Sequence, residues 1–196
     1  AELEQIEGQA RQFSEQLLRQ FIPHLNDLLI ELDDAQVEEL FANLERRNKD
    51  YRERYIETSD KKQRRERNNS MKKFIRRWTG ELNENQNKRV KQWSLEYRRL
   101  GSEFLQSRID WQEKFKVLLE RRSKGGGIET QLQTLLLQPL EPRLGIAQAD
   151  FEENRRLIRK LYLDIDQMLT DRQRSRVLRR LRGYAEDFRE LAGRVR

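Results

Sequence analysis

A five-residue signature made of leucine, a capping residue, two variable positions and glutamine occurs three times in this chain. It reads Leu32-Asp33-Asp34-Ala35-Gln36, Leu82-Asn83-Glu84-Asn85-Gln86 and Leu169-Thr170-Asp171-Arg172-Gln173. In each copy the Asp, Asn or Thr side chain can accept the backbone N–H of the residue three positions on. The glutamine at that third position can reach back to the cap's own N–H, which closes a capping box and starts a helix. Leu40, Val90 and Val177 follow the three glutamines by four residues, and helical periodicity turns each toward the same side as the apolar stripe that follows it. A chain punctuated in this way can hardly build anything but helices.

The intervening stretches keep helical periodicity. A first helix is expected from Leu3 to about Gln20, with Ile6, Phe13, Leu17 and Leu18 on one side. Phe21-Ile22-Pro23 should interrupt it, with Pro23 in the first turn of a short helix ending near Glu31. After the first signature, Val37, Leu40, Phe41, Leu44, Tyr51 and Tyr55 predict a helix reaching Ile56. Asp60-Lys61-Lys62-Gln63 offers a weaker capping box for a basic helix carrying Phe74, Ile75 and Trp78, which Thr79-Gly80 closes.

Val90, Trp93, Tyr97, Leu100, Phe104, Trp111, Phe115 and Leu118 come close to a heptad seam and predict one long helix from Glu84 to Arg122. Such a seam would pack along a neighbouring helix or along a second copy in a homodimer. Ser123-Lys124-Gly125-Gly126-Gly127 should end it. A brief helix through Leu132, Leu135, Leu136 and Leu137 then precedes breaks at Pro139 and Pro142. Asp150-Phe151-Glu152-Glu153 opens a helix with Leu157, Ile158, Leu161, Ile165 and Met168 inward, and the third signature launches the last, with Val177, Leu178, Leu181, Tyr184, Phe188 and Leu191. No segment alternates with period two. The expected fold is all-α, an elongated bundle of about six to seven helices, several of them long, with coiled-coil-like packing. It reads as a single domain over residues 1–196, with a flexible loop near 123–128 and a proline-containing break near 139–146.

Charged residues make up 38% of the 196 and apolar ones 35%, which suits long exposed helices better than a compact globule. The absence of cysteine removes disulfides, thiol catalysis and cysteine metal sites, and fits cytoplasm and periplasm equally. His24 is the single histidine, so no histidine dyad or histidine-rich metal site can form within one chain. The carboxylates lie at helix starts or at i+4 spacing from Lys and Arg, as in a solvated helix. Gly125-Gly126-Gly127 has neither a preceding strand nor a following Lys-Ser/Thr, so it is no phosphate loop. Nothing points to catalytic, cofactor-binding or metal-binding residues, and the chain reads as a non-enzyme without a cofactor.

The net charge of +7 is concentrated. Lys61, Lys62, Arg64, Arg65, Arg67, Lys72, Lys73, Arg76 and Arg77 face only Asp60 and Glu66 over the same stretch, forming a candidate basic interaction face. Arg172, Arg174, Arg176, Arg179, Arg180 and Arg182 form a second concentration against Asp171. Nucleic acid is the alternative partner for the first. No helix-turn-helix, zinc-finger or stacking-sheet pattern accompanies it, however, and Trp78 belongs by spacing to the apolar stripe. Attraction to anionic lipid or to an acidic protein client is the plainer reading.

Leu169-Thr170-x-x-Gln173 resembles the LTxxQ signature of the Spy and CpxP periplasmic proteins, and the other two copies are degenerate forms of it. Leu32 through Phe41, Leu44-Glu45-Arg46, Arg64-Arg65-Glu66-Arg67, Trp78 and Leu82 to Trp93 are similar to a family of uncharacterised proteobacterial lipoproteins. The resemblance implies export to the periplasm and attachment to an envelope membrane, the outer one first, by a lipid on an N-terminal Cys that this chain lacks. It also implies protein clients or envelope proteins as partners, held by an ATP-independent chaperone or stress-sensing module. A purely structural scaffold is the third reading.

Overall fold

The computed structural model describes residues 2–122, 128–138, 144–145 and 147–194. Among these, eight α-helices and no strand are found: α1 (Glu2–Glu31), α2 (Asp34–Tyr55), α3 (Asp60–Thr79), α4 (Glu84–Glu96), α5 (Gly101–Glu120), α6 (Glu129–Leu137), α7 (Gln148–Gln167) and α8 (Asp171–Arg194). The all-helical fold is as expected, with one helix more than the upper expectation. Ser123 to Gly127, Pro139 and Pro142 lie outside the described residues.

All three signatures begin helices by closed capping boxes. Asp33, Asn83 and Thr170 accept the N–H of Gln36, Gln86 and Gln173 at 2.7, 2.9 and 3.3 Å. The three glutamine Oε1 atoms accept the cap N–H in return at 2.9, 3.0 and 3.1 Å. The basic helix α3 starts one residue away from the expected box. Ser59 caps it through the N–H of Lys62, and Gln63 donates to the carbonyl of Thr58 instead of closing a box on Asp60. Gly80 ends α3 with φ 84°, a left-handed conformation that glycine adopts without a side-chain clash.

Two departures alter the helix pattern. Pro23 does not divide the first helix but lies inside α1. Proline removes one donor at a cost of about 3 kcal/mol, yet Ile22 and Leu29 are buried and Leu25 is partly so, and burying two such side chains returns a comparable amount. The long helix expected from Glu84 to Arg122 is instead broken between α4 and α5. Tyr97 turns extended, with φ −65° and ψ 126°, and the buried side chain of Asn154 clasps the next residue. Its Oδ1 accepts the N–H of Arg98, and its Nδ2 donates to the carbonyl of Arg98, both at 2.9 Å. A Cβ on Gly101 would stand 2.7 Å from the carbonyl oxygen of Tyr55, so α5 begins where only glycine fits.

The chain divides into two compact units, Ala1–Glu57 with Leu100–Gln148 and Thr58–Arg99 with Ala149–Arg196. In the first, α1 packs on α6 and α2 on α5 around Leu29, Val37, Phe115, Leu118, Leu119 and Leu132. Trp111 stacks on Phe115 at 5.1 Å and donates to the carbonyl of Leu135. In the second, α3 packs on α4 and α8. Its core is built from Ile75, Val90, Trp93, Leu157, Leu161 and Ile165. Arg89 on α4 reaches Asp164 on α7 at 2.6 Å, a largely buried pair. The residues of the expected heptad seam therefore serve two cores, Val90 and Trp93 one, Phe115 and Leu118 the other.

Candidate interaction surfaces

The second and third signatures lie side by side in the second unit, joined by their glutamines. Gln86 Nε2 donates to Gln173 Oε1 at 2.9 Å and to the carbonyl of Met168, the residue before Leu169. Gln173 Nε2 donates to Gln86 Oε1 at 3.1 Å and to the carbonyl of Glu81, the residue before Leu82. The arrangement is reciprocal, and both amides are buried. Burial strengthens such a network and makes any broken member costly, so the two signatures act as a structural clamp between helix starts. Gln36, in the first unit, is exposed. There Arg122 takes the clamping role, donating to the carbonyls of Leu32 and Leu119 and pairing with Asp34. From the sequence Arg122 is expected only as the end of a helix, and nothing in its local sequence distinguishes it from the neighbouring Arg121.

The nine basic residues of α3 do not share one face. Lys61, Lys62, Arg65, Lys73, Arg76 and Arg77 are exposed and fall, with the partly buried Lys72, within one half of the helix surface. Arg76 reaches Glu81 at 3.4 Å. Arg64 and Arg67 fall on the other half. The Arg67 guanidinium lies 4.8 Å from the ring centre of Tyr97 and donates to the carbonyl of Ser94, while its Nε is buried without an acceptor. Burial lowers the Arg67 pKa, with Arg64 and Arg99 adding repulsion against the attraction of Tyr97 and Asp60. Burial also raises the Tyr97 pKa, and Arg67 partly offsets that. Trp78 rests against Tyr184 with ring centres 5.8 Å apart, a partner that accounts for its half-buried position.

Two helices carry apolar faces that stay largely exposed among the described residues. On α1, Ile6, Phe13, Leu17, Phe21 and Leu28 recur at seven, four, four and seven and are all exposed, Phe13 by 62%. On α8, Leu178, Leu181, Tyr184, Phe188 and Leu191 are exposed, Phe188 by 70%, and Val177 is only partly buried. The one-sided placement of Ile6, Phe13 and Leu17 on α1 is as expected, and Leu18 of the same expected set is partly buried. Amphipathic spacing shows that a helix has an apolar face, and only the packing shows whether another element reaches it.

Among the described residues, no group of three or more His, Cys, Asp or Glu side chains could hold a metal ion, and His24 is exposed. No helix among them is long and apolar enough to cross a membrane. An apolar groove of about 890 Å³ runs between α5 and α6, lined by Val117, Leu118, Ile128 and Leu135 with Lys114 and Arg121.

Residues 1–142 match the sequence model of a family of unknown function, DUF6279. The matched stretch includes α1 to α6, whereas α7, α8 and the third signature lie beyond it. No curated protein and no solved structure matches the chain.

Proposed function

We propose that this chain, which belongs to DUF6279, a family of unknown function, is a non-enzymatic protein-interaction module of the cell envelope that holds unfolded client segments without nucleotide. The observation that carries the reading is the open apolar stripe of α1. From Ile6 to Leu28 it extends about 33 Å at 1.5 Å per residue, enough for about ten residues of an extended client. Contiguous exposed apolar surface of this kind marks interaction sites. Glu7, Arg11, Glu15 and Arg19 follow one another along the side of α1 away from the stripe, so the helix stays hydrated while the stripe is unoccupied. A lipid-anchored periplasmic setting follows from the LTxxQ-like and lipoprotein-like resemblances and belongs to the same proposal.

The test is light scattering of a reduced, unfolding client such as α-lactalbumin. The full chain, without nucleotide, should suppress aggregation at near-stoichiometric amounts. Phe13→Ser with Phe21→Ser should lower that protection by about tenfold or more, since each buried phenylalanine contributes about 1.5–3 kcal/mol. Absence of any protection by the wild-type chain would sink the chaperone reading.

A second reading rests on the exposed cations along one half of α3, Lys61, Lys62, Arg65, Lys73, Arg76 and Arg77. As a nucleic-acid surface it predicts affinity that falls steeply between about 50 and 200 mM salt. Charge reversal at Arg65 and Arg76 should abolish it. A flat salt response in a duplex and single-strand titration removes this reading.

A further inference from the structure

We infer that α8 lies on anionic lipid bilayer surfaces, its apolar sector entering the headgroup boundary. This goes beyond client holding, which was assigned to α1. The helix carries eight arginines against Asp171, Glu186, Asp187 and Glu190, a net charge of +4. Its apolar sector runs from Leu191 and Tyr184 through Phe188 and Leu181 to Leu178, and arginines stand at both borders. Arg180 adjoins the Leu191 side and Arg182 and Arg189 adjoin Leu178. A helix that gathers its few apolar residues into one sector and carries basic residues along its polar side is the type that settles in a membrane interface. Long arginine side chains at the borders keep their charges among the headgroups while their stems lie along the apolar boundary.

The helix is attached at one end and bare at the other. Gln173 is buried, Arg176 passes within 3.5 Å of the Cβ position of Gly80, and Tyr184 meets Trp78. From Glu186 to Gly193 every residue is exposed. The first part of α8 is therefore fixed to its own unit, and the remainder presents Phe188 and Leu191 to the surroundings.

Charge and shape select the occupant. The six arginines of residues 171–182 face only Asp171, so a parallel second copy of α8 meets repulsion there. An antiparallel copy, setting Glu186, Asp187 and Glu190 against them, would show as a dimer without vesicle binding and overturn the inference. An extended acidic peptide needs a groove with two walls, whereas the distal half of α8 is a convex single helix without a flanking neighbour among the described residues. A planar anionic surface along the exposed side of α8 can take exposed arginines of residues 172–182 together with the bare apolar residues Phe188 and Leu191.

The experiment is co-sedimentation of the full chain with vesicles of phosphatidylcholine alone and of phosphatidylcholine mixed with phosphatidylglycerol. Binding to the mixed vesicles should exceed binding to the neutral ones by at least about tenfold at low salt. Arg182→Gln with Arg189→Gln should weaken it by about thirtyfold. Phe188→Ser with Leu191→Ser should weaken it by at least about tenfold. All four positions are exposed, so the far-ultraviolet circular dichroism of the vesicle-free variants should match the wild type. Phe13→Ser with Phe21→Ser, which tests client holding, should leave vesicle binding unchanged and so separates the two ideas. Equal binding to both vesicle types, or binding indifferent to Phe188 and Leu191, overturns the inference. So does saturable binding of an acidic amphipathic peptide without vesicle binding.

Discussion

Gln173→Ala is expected to destabilise the second unit by about 2–4 kcal/mol, against at most about 1 kcal/mol for Gln36→Ala in the first. The two glutamines occupy the same place in the same signature and close the same box, so the difference lies in what surrounds them. Gln36 is exposed, and water replaces its lost bond to the N–H of Asp33. Gln173 also donates to the carbonyl of Glu81 and exchanges two hydrogen bonds with Gln86, which is fully buried. Its removal leaves the Gln86 amide half satisfied away from water, and an unmade buried hydrogen bond costs more than a made one contributes. Gln86→Ala should cost a similar amount. Removing both should cost less than the two single losses together by about 1 kcal/mol or more, because the second change removes an amide that the first had already left half satisfied. Urea denaturation of the four chains closes this cycle, and strict additivity would show that the amide pair is not coupled.

That contrast marks how far the sequence could be followed. Capping boxes are local, set by residues three positions apart, and all three were legible, as were the termini of α2 and the inward set Leu157, Leu161 and Ile165 of α7. The pairing of Gln86 with Gln173 joins residues 87 positions apart, and nothing in either pentapeptide distinguishes the paired copies from the solitary one. Pro23 misled because its local cost was visible while the burial of Ile22 and Leu29 that offsets it was not. The apolar faces of α1 and α8 were legible as stripes, but spacing alone does not say whether a neighbour reaches them, and only the exposure of Phe13 and Phe188 shows them as surfaces. The candidate surfaces were thus legible as residues and illegible as surfaces. Arg67 shows the same limit: helical spacing already sets it on the other side of α3, but that Tyr97 and Ser94 meet it there is visible only in the packing.

Asn154→Leu is expected to cost the second unit about 2–5 kcal/mol, although leucine shares the branched outline of asparagine and α7 is otherwise apolar inward. The heptad-like spacing from Val90 to Leu118 favours one continuous helix, and the chain departs from it at Tyr97. Departing leaves backbone groups without helical partners, and the N–H and C=O of Arg98 both turn to the single side chain of Asn154, which is 2% exposed. Leucine would strand both groups beside the core. Asn154→Asp keeps the acceptor for the N–H of Arg98 and loses the donor to its carbonyl, so its cost should fall between those of the wild type and leucine. Hydrogen exchange of the Arg98 amide gives a second readout that a mere loss of packing would not move. It should accelerate strongly in Asn154→Leu and little in Asn154→Asp. If Arg98 kept its full protection in the leucine variant, the amide would have found a helical acceptor and α4 would have run on. Gly101 argues against that outcome within the first unit, because the close approach of the Tyr55 carbonyl fixes where α5 begins whatever α4 does. Gly101→Ala, which sets a Cβ against that carbonyl, should therefore be destabilising in spite of alanine's higher helix propensity.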